Sequence, residues 1–248
     1  MSAAVGGGAE RLNRFLARRG VASRRSADEL IASERVRVNG RTARLGDKVD
    51  SATDSVEVDG APITARLPIA VTLALNKPVG VVTTMRDPRG RPTVRDLVAE
   101  TPGLVPIGRL DADSRGLLLL STDGELAHRI AHPRHGVLKT YRVTPTSPLS
   151  DTQVSDMIRG VMLDDGPAQA LEVRRAGRTA VDMVMGEGRK RVVRRLFAAV
   201  GSEVVDLCRT AVGPIALGDL AEGASRRLDA SELEALRQAV RPAGTGAS

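Results

Sequence analysis

Two aspartates, Asp111 and Asp113, stand in the stretch of residues 107–124, IGRLDADSRGLLLLSTDG. A carboxylate can attack an electrophilic carbon or accept a proton. Chemistry by paired carboxylates needs two acids that converge across a substrate bond, at about 5 Å or more. Local geometry does not make this pair do so. A lone aspartate acting as nucleophile needs a cation that keeps it ionised once substrate covers it. Residues 187–197, EGRKRVVRRLF, offer one in Arg194, which precedes the apolar face of a helix. The same basic run also suits a solvated face or a phosphate-binding patch, and the aspartates also suit a solvated hairpin entry. His128 and His132 have helical spacing, but Pro133 favours a helix end there. Cys208 is the only cysteine, so no zinc set is completed, no internal disulfide can form, and no metal is expected.

The elements that carry these residues follow from patterning. Leu117 to Leu120 form an apolar run with the length of a strand buried on both faces. The Asp123-Gly124 pair behind it predicts a reversal of the chain, followed by a short helix over ELAHRIAHP. The acidic segment from Asp111 to Gly116 is thereby placed at the mouth of a buried strand, a usual location for catalytic side chains. Upstream, LALNKPVGVVTT predicts strand, turn, strand, and MRDPRGRPTVRDL a polar loop with a short helix. Arg86, Arg89 and Arg91 in that loop are candidates to meet a polyanion. Downstream, GVLKTYRVTP predicts a strand with Val137, Lys139, Tyr141 and Val143 on one face, and the lysine suggests a rim rather than a sealed core. A helix capped by Ser150 or Asp151, two antiparallel strands, a helix from the basic run to Gly201, further strands, and a last amphipathic helix over SELEALRQAV complete the pattern. Hairpin-linked strands with interspersed helices indicate an α+β fold with a largely antiparallel sheet.

The beginning of the chain has a different character. Residues 1–9 are small and glycine-rich and are expected to be disordered, like the tail over 241–248. From Arg11, RLNRFLARRG places Leu12, Phe15 and Leu16 on one helical face, and a second helix starts at the capping residue Ser23 with Ala27, Leu30 and Ile31 inward. VRVNG and SVEVDG read as short strands closed by Asn-Gly and Asp-Gly turns. Six arginines, Arg11, Arg14, Arg18, Arg19, Arg24 and Arg25, occur from 11 to 25 without an acid among them. That stripe favours phosphate contact over a merely solvated face. The domains expected are thus 10–60 and 72–240, joined by a proline-containing linker over 61–71.

Composition bounds the function class. The 248 residues are 42% hydrophobic and 27% charged, as in a globular protein with a real core. A net charge of +7 and a pI near 10.5 point to a polyanionic partner. No apolar run has membrane-spanning length, and MSAAVGGGAE lacks the basic-then-apolar order of a secretory signal, so a cytoplasmic protein is expected. Aromatic residues are scarce, and Tyr141 is the only tyrosine.

Two resemblances sharpen this picture. Residues 11–60, carried by RLNRFLARRGVASRRSADELI and VRVNG, resemble the small helix-helix-strand RNA-binding module (the alpha-L motif) of a small-subunit ribosomal protein. Residues 72–200 resemble the catalytic domain of bacterial ribosomal RNA pseudouridine synthases of the RsuA/RluB type. The matching blocks are NKPVG at 76–80, GRLDADSRGLLLLSTDG at 108–124, HP then KTYRV at 132–143, and EGRKRVVRRLF at 187–197. The resemblance implies that Asp111 is the catalytic aspartate, Arg194 its basic partner, and Tyr141 the residue lying against the target uracil. It implies no cofactor, since the reaction exchanges a C–N for a C–C glycosidic bond without redox change. Lys77, Arg109, Lys139, Arg189, Lys190 and Arg191 are expected to bind RNA beside the arginines of the first module. Ser114, Thr122 and Val192 depart from the family's usual Thr, Asn and Gln, and Val192 is expected to loosen a polar contact behind the site. A monomeric enzyme acting on ribosomal RNA, of the large subunit, is the expectation. The competing expectation is a non-catalytic RNA-binding factor of ribosome assembly that retains the fold.

Overall fold

The computed structural model describes residues 8–63 and 70–240. The remaining residues, 1–7, 64–69 and 241–248, take in most of the segments expected to be disordered or linking, which therefore lie outside the described residues. The chain divides into two compact units, Met1–Val71 with Thr101–Leu104, and Thr72–Glu100 with Val105–Ser248.

The first unit contains β1 (Glu10–Arg11), α1 (Leu12–Arg18), α2 (Arg24–Ala32), β2 (Val36–Val38), β3 (Arg41–Thr42), β4 (Lys48–Val49), β5 (Val56–Val58) and β6 (Ala61–Pro62). Leu12, Phe15 and Leu16 of α1 and Ala27 and Ile31 of α2 are buried against Val36, Val49 and Val56, as their helical spacing predicts. Ser23 caps α2 by accepting a hydrogen bond from the backbone N of Ser26. The strands run in the order β3-β2-β5-β6. Each outer pair is closed by a turn with both central residues at positive φ, Asn39 (50°) with Gly40 (76°) and Asp59 (52°) with Gly60 (78°). Only Gly, Asn and Asp adopt that conformation cheaply, which is why these dipeptides were legible.

The second unit is built on a sheet with β7 (Thr72–Lys77), β8 (Val105–Ile107), β9 (Arg115–Ser121), β10 (Lys139–Pro145), β13 (Glu172–Arg175), β14 (Val181–Met185), β15 (Val204–Val212), β16 (Ile215–Ala216) and β17 (Ser225–Arg227). Its order is β13-β14-β10-β15-β9-β7-β17, with β16 on β15 and β8 on β9. A separate hairpin comprises β11 (Val161–Leu163) and β12 (Gly166–Ala168). All neighbours in the main sheet are antiparallel except β15 and β9. The helices are α3 (Gly124–Ala131), α4 (Asp151–Arg159), α5 (Val192–Ala199) and α6 (Ala230–Ala239). Leu117 to Leu120 are all fully buried in β9, so both faces of that strand are covered. Leu117 and Leu119 pack in one cluster with Leu126 and Ile130 of α3 and Leu236 of α6.

Asp123-Gly124 leads from β9 into the short helix expected there: the Asp123 carboxylate accepts from the backbone N of Glu125 and Leu126 and caps α3. Two local expectations change. The strand expected after Gly80 is reduced to a single bridge, Val82 to Thr93. Its polar groups are drawn elsewhere, with Gly80 N donating to Ala112 O (2.7 Å) and Val81 O accepting from Lys77 Nζ (2.8 Å). Lys139, read as a rim residue, is buried.

Candidate active site

Asp111 stands on a tight turn between β8 and β9, closed by Ser114 N donating to Asp111 O at 3.1 Å. Each neighbouring residue is clamped. Thr83 Oγ1 donates to Leu110 O (2.6 Å) and accepts from Leu110 N (3.2 Å). Gly80 N holds Ala112 O, and Arg194 Nη2 donates to Asp113 O at 2.7 Å. The backbone is thus fixed on both sides of Asp111, while the half-buried Asp111 carboxylate has no hydrogen-bond or ion-pair partner among the described residues. A carboxylate on a rigid turn with its oxygens uncommitted is arranged to meet something from outside.

The arginine expected to pair with Asp111 pairs with its neighbour. Arg194 Nε lies 3.3 Å from Asp113 Oδ2, and its Nη1 donates to Val204 O at 2.9 Å. Arg191 Nη1 donates to the same Asp113 oxygen at 2.9 Å. Burial alone would raise the Asp113 carboxyl, but the Arg191 hydrogen bond and the charges of Arg194 and Arg191 hold it below its ordinary value. Arg191 adopts a left-handed conformation, φ 54°, at the start of α5. Such a backbone costs of order 1 kcal/mol or more in a residue with a long side chain, and here it accompanies the grip on Asp113. The expected Arg194–Asp111 ion pair is therefore replaced by a clamp in which Arg194 orients the turn that presents Asp111. Sequence spacing could not separate the two aspartates, because a tight turn redirects side chains within three residues.

Register across the sheet makes a second feature. Lys77 of β7 pairs with Gly116 of β9, Gly116 with Arg209 of β15, and Arg209 with Tyr141 of β10. Paired residues project to one face, so this transverse row sets a tyrosine and two cations on the same side, around a position without a side chain. Gly116 has no alternative there: a Cβ would lie 2.4 Å from Arg209 O and 2.7 Å from Arg209 N, and its φ is 102°. Lys139, two residues before Tyr141 on the same strand face, adds a third cation. All three are buried, at 0% (Lys77), 8% (Lys139) and 4% exposure (Arg209). They are satisfied largely by carbonyls. Lys77 Nζ donates to Pro78 O and Val81 O, Lys139 Nζ to Val137 O, and Arg209 Nε to Leu117 O. Arg209 Nη2 is buried without a hydrogen-bond partner among the described residues. Burial brings both lysines down to about 8, with the Asp111 charge opposing the fall at Lys77 and the Arg209 charge adding to it at Lys139. At neutral pH both lysines remain cations.

The expected RNA-binding residues are placed unevenly. Lys77 and Lys139 are buried in the sheet and present no charge at the surface, so they are not surface contacts for the RNA backbone: their alternation with apolar residues points them inward. Arg189 is engaged by Glu187 and Asp165, and Arg191 by Asp113, whereas Lys190 is exposed without an ion pair among the described residues. Arg109 is exposed in the cleft that Asp111 lines with Thr84, Arg86, Asp87 and Ala112. Arg91 binds Asp87 through both carboxylate oxygens and holds its carboxyl down at about 2. Arg86 and Arg109 beside that cleft, and Arg89 near it in the chain, have no ion-pair partner among the described residues. In the first unit, Glu10, one residue before the arginine stripe, pairs with Arg14 (3.8 Å) and with Arg18. Arg11 donates to Gly46 O, and Arg19 lies 5.0 Å over the Phe15 ring. Arg24 and Arg25 are exposed and unpaired among the described residues. Val192 is buried beside Val193, Leu196 and Phe197 in α5.

Thr83, Arg115 and Arg209 were missed as site residues. Arg115 makes a two-oxygen ion pair with Asp206 (2.9 and 2.7 Å) that ties β9 to β15. An arginine inside the apolar strand VVDLCRTAV was the available signal for Arg209; nothing marked Thr83.

Comparison with known proteins agrees with this architecture. The RNA pseudouridylate synthase family model matches residues 71–199, and the S4 domain model residues 10–56. An uncharacterized RNA pseudouridine synthase of Mycobacterium leprae is 44% identical over 95% of this chain and 95% of its own length. The ribosomal large subunit pseudouridine synthase B of Escherichia coli K12 is 39% identical over 93% of this chain and 83% of its own. A crystal structure of a pseudouridylate synthase superposes with a TM-score of 0.67 at 32% identity, covering 91% of this chain and 99% of the other. The chain belongs to the RNA pseudouridine synthase family, and it carries an S4 RNA-binding domain ahead of the synthase domain.

Proposed function

We propose that this isomerase converts a specific uridine of large-subunit ribosomal RNA to pseudouridine, with Asp111 as the catalytic carboxylate. The observation that carries the reading is the clamped turn with an uncommitted Asp111 carboxylate at its apex. A protein that kept the fold only to bind RNA would have no use for an unpaired half-buried acid, which opposes phosphate. The ribosomal substrate rests on the relative from Escherichia coli and on the S4 domain.

In the reaction the C1′–N1 bond of the target uridine breaks, and its electron pair leaves with the base. Asp111 either forms a bond to C1′ or takes a proton from the ribose. The base then turns and C5 bonds to C1′ as the Asp111–C1′ bond breaks, or, on the second route, as Asp111 returns the proton to the ribose; the C5 proton is lost and N1 is protonated, so atoms and charge balance. The nucleotide must first leave its stack, which costs least in a loop. Arg86 and Arg109 line the approach to Asp111 with positive charge for the strand, and the ring of Tyr141 takes the face of the extruded base. Pseudouridine mapping of ribosomal RNA from cells with and without the protein identifies the position. Asp111→Asn is expected to fold and bind RNA but leave that uridine unmodified. Restoration of the modification by Asp111→Asn would overturn the assignment.

A further inference from the structure

The three buried cations have no buried carboxylate beside them. Asp113 is already shared by Arg191 and Arg194, so among the described residues the half-buried Asp111, at the edge of the row, and the exposed Glu222 are the acids left to act on Lys77. A cluster of like charges taken from water is expensive. The expense has a use when negative charge appears next to it during the reaction. Arg209 also keeps a buried donor, Nη2, with no acceptor among the described residues. It pairs across the strands with Tyr141 and shares that face with Lys139.

We propose that Arg209, supported by Lys139, stabilises the negative charge on the displaced uracil. The inference rests on the reading that Tyr141 receives the target base. When the C1′–N1 bond breaks, the electron pair spreads from N1 over the carbonyl oxygens of the ring. A fixed guanidinium and an ammonium on the same face of the sheet meet that charge without reorganising, and the surrounding apolar residues leave their field unscreened. The charge disappears again when C5 bonds to C1′ and N1 is protonated. The cations therefore favour the separated intermediate over both bound substrate and bound product, which is the differential binding that raises a rate. Arg209 also supports the turn, through a 3.4 Å contact from Nη1 to Arg109 O, and this second role must be separated experimentally.

Fluorine at C5 makes the uracil anion intrinsically more stable, so a fluorinated base depends less on outside help to leave. The test uses an RNA fragment containing the mapped uridine, prepared with uridine or 5-fluorouridine at that position. Disappearance of the N-linked nucleoside is followed by mass spectrometry under single-turnover conditions with saturating protein. Arg209→Met is expected to slow the uridine reaction by roughly 100-fold, the scale of losing one charge-stabilising donor, and the 5-fluorouridine reaction by at least tenfold less. Lys139→Met is expected to show the same inequality with a smaller loss, and it carries the test if Arg209→Met gives no cooperative melting transition. Equal losses on the two substrates in the variant that folds would mean that these residues only hold the turn, and would overturn the inference. If the wild-type protein isomerises neither RNA, the functional reading itself fails, a result distinct from equal losses.

Discussion

At the scale of the residue, the site separates two aspartates that the sequence presents as near equals. Asp113 is neutralised by two arginines, while Asp111 is left uncommitted. Arg194 holds both the carbonyl of Asp113 and that of Val204, so it fixes the turn more than it supplies charge to Asp111. Arg194→Ala is therefore expected to lower the single-turnover rate at saturating RNA by roughly 100-fold, the scale of misplacing a reacting group by about 1 Å. Arg194→Lys recovers little, because one ammonium cannot reach two carbonyls and a carboxylate in fork geometry. Asp113→Asn retains the backbone carbonyl that Arg194 grips and is expected to keep activity within about tenfold. Lys190→Ala, at an exposed and unpaired cation, changes only the RNA concentration required. Rates with protein in excess over labelled RNA distinguish these outcomes, and a wild-type rate for saturated Arg194→Ala would reduce Arg194 to a surface contact.

At the scale of the element, the site depends on the one parallel contact in the main sheet. β9 meets β15 through two residue pairs, and Gly116 permits it. Gly116→Ala puts a methyl group into the Arg209 backbone at a positive φ, so a destabilisation of roughly 3 kcal/mol or more is expected from overpacking and strain together. Urea unfolding of the variant, with an unchanged slope and a lowered midpoint, is the measurement. The lysines of β7 and β10 add a pH dependence. Their folded values near 8 lie below the ordinary lysine value of about 10.4. Between roughly pH 8 and 10 the unfolded chain binds more protons, so their contribution to stability rises with pH. Below about pH 8 both states hold the protons and no slope remains. Wild-type protein is expected to gain stability relative to Lys139→Met from pH 8 to 10, and urea midpoints at three pH values test the sign.

At the scale of the whole molecule, chemistry is expected of the second compact unit and RNA affinity of the first. The second contains Asp111, Tyr141 and the buried cations; the first contains arginines and no comparable acid on a clamped turn. The structure also ranks those arginines. Arg24 and Arg25 are unpaired, while Arg18 is held by Glu10. Replacing Arg24 and Arg25 together by alanine is expected to lower the slope of log affinity against log salt by about two. Arg18→Ala should lower it by less than one, because its charge is already partly neutralised. Titrations of ribosomal RNA fragments over a range of salt concentrations give both slopes, and equal effects per residue would show that Glu10 releases Arg18 on binding.

The sequence by itself determined the elements whose causes are local. Capping by Ser23 and Ser150, the two left-handed Asn-Gly and Asp-Gly turns, the buried leucine strand and the helical face of α1 all arise from a few adjacent residues. The motif blocks also contained Asp111, Tyr141 and Arg194, and the family followed from them. Only the tertiary structure decided what pairs with what. Glu10 intercepts part of the arginine stripe, Asp113 takes the arginine expected for Asp111, and Lys77 and Lys139 turn inward. Arg209 joins the site from 98 residues beyond Asp111 by number, through strand register alone. Charge and hydrogen-bond partners are set by distances in space, and those depend on which strands become neighbours, a choice made by burial of the whole sheet and not by any short stretch of the chain.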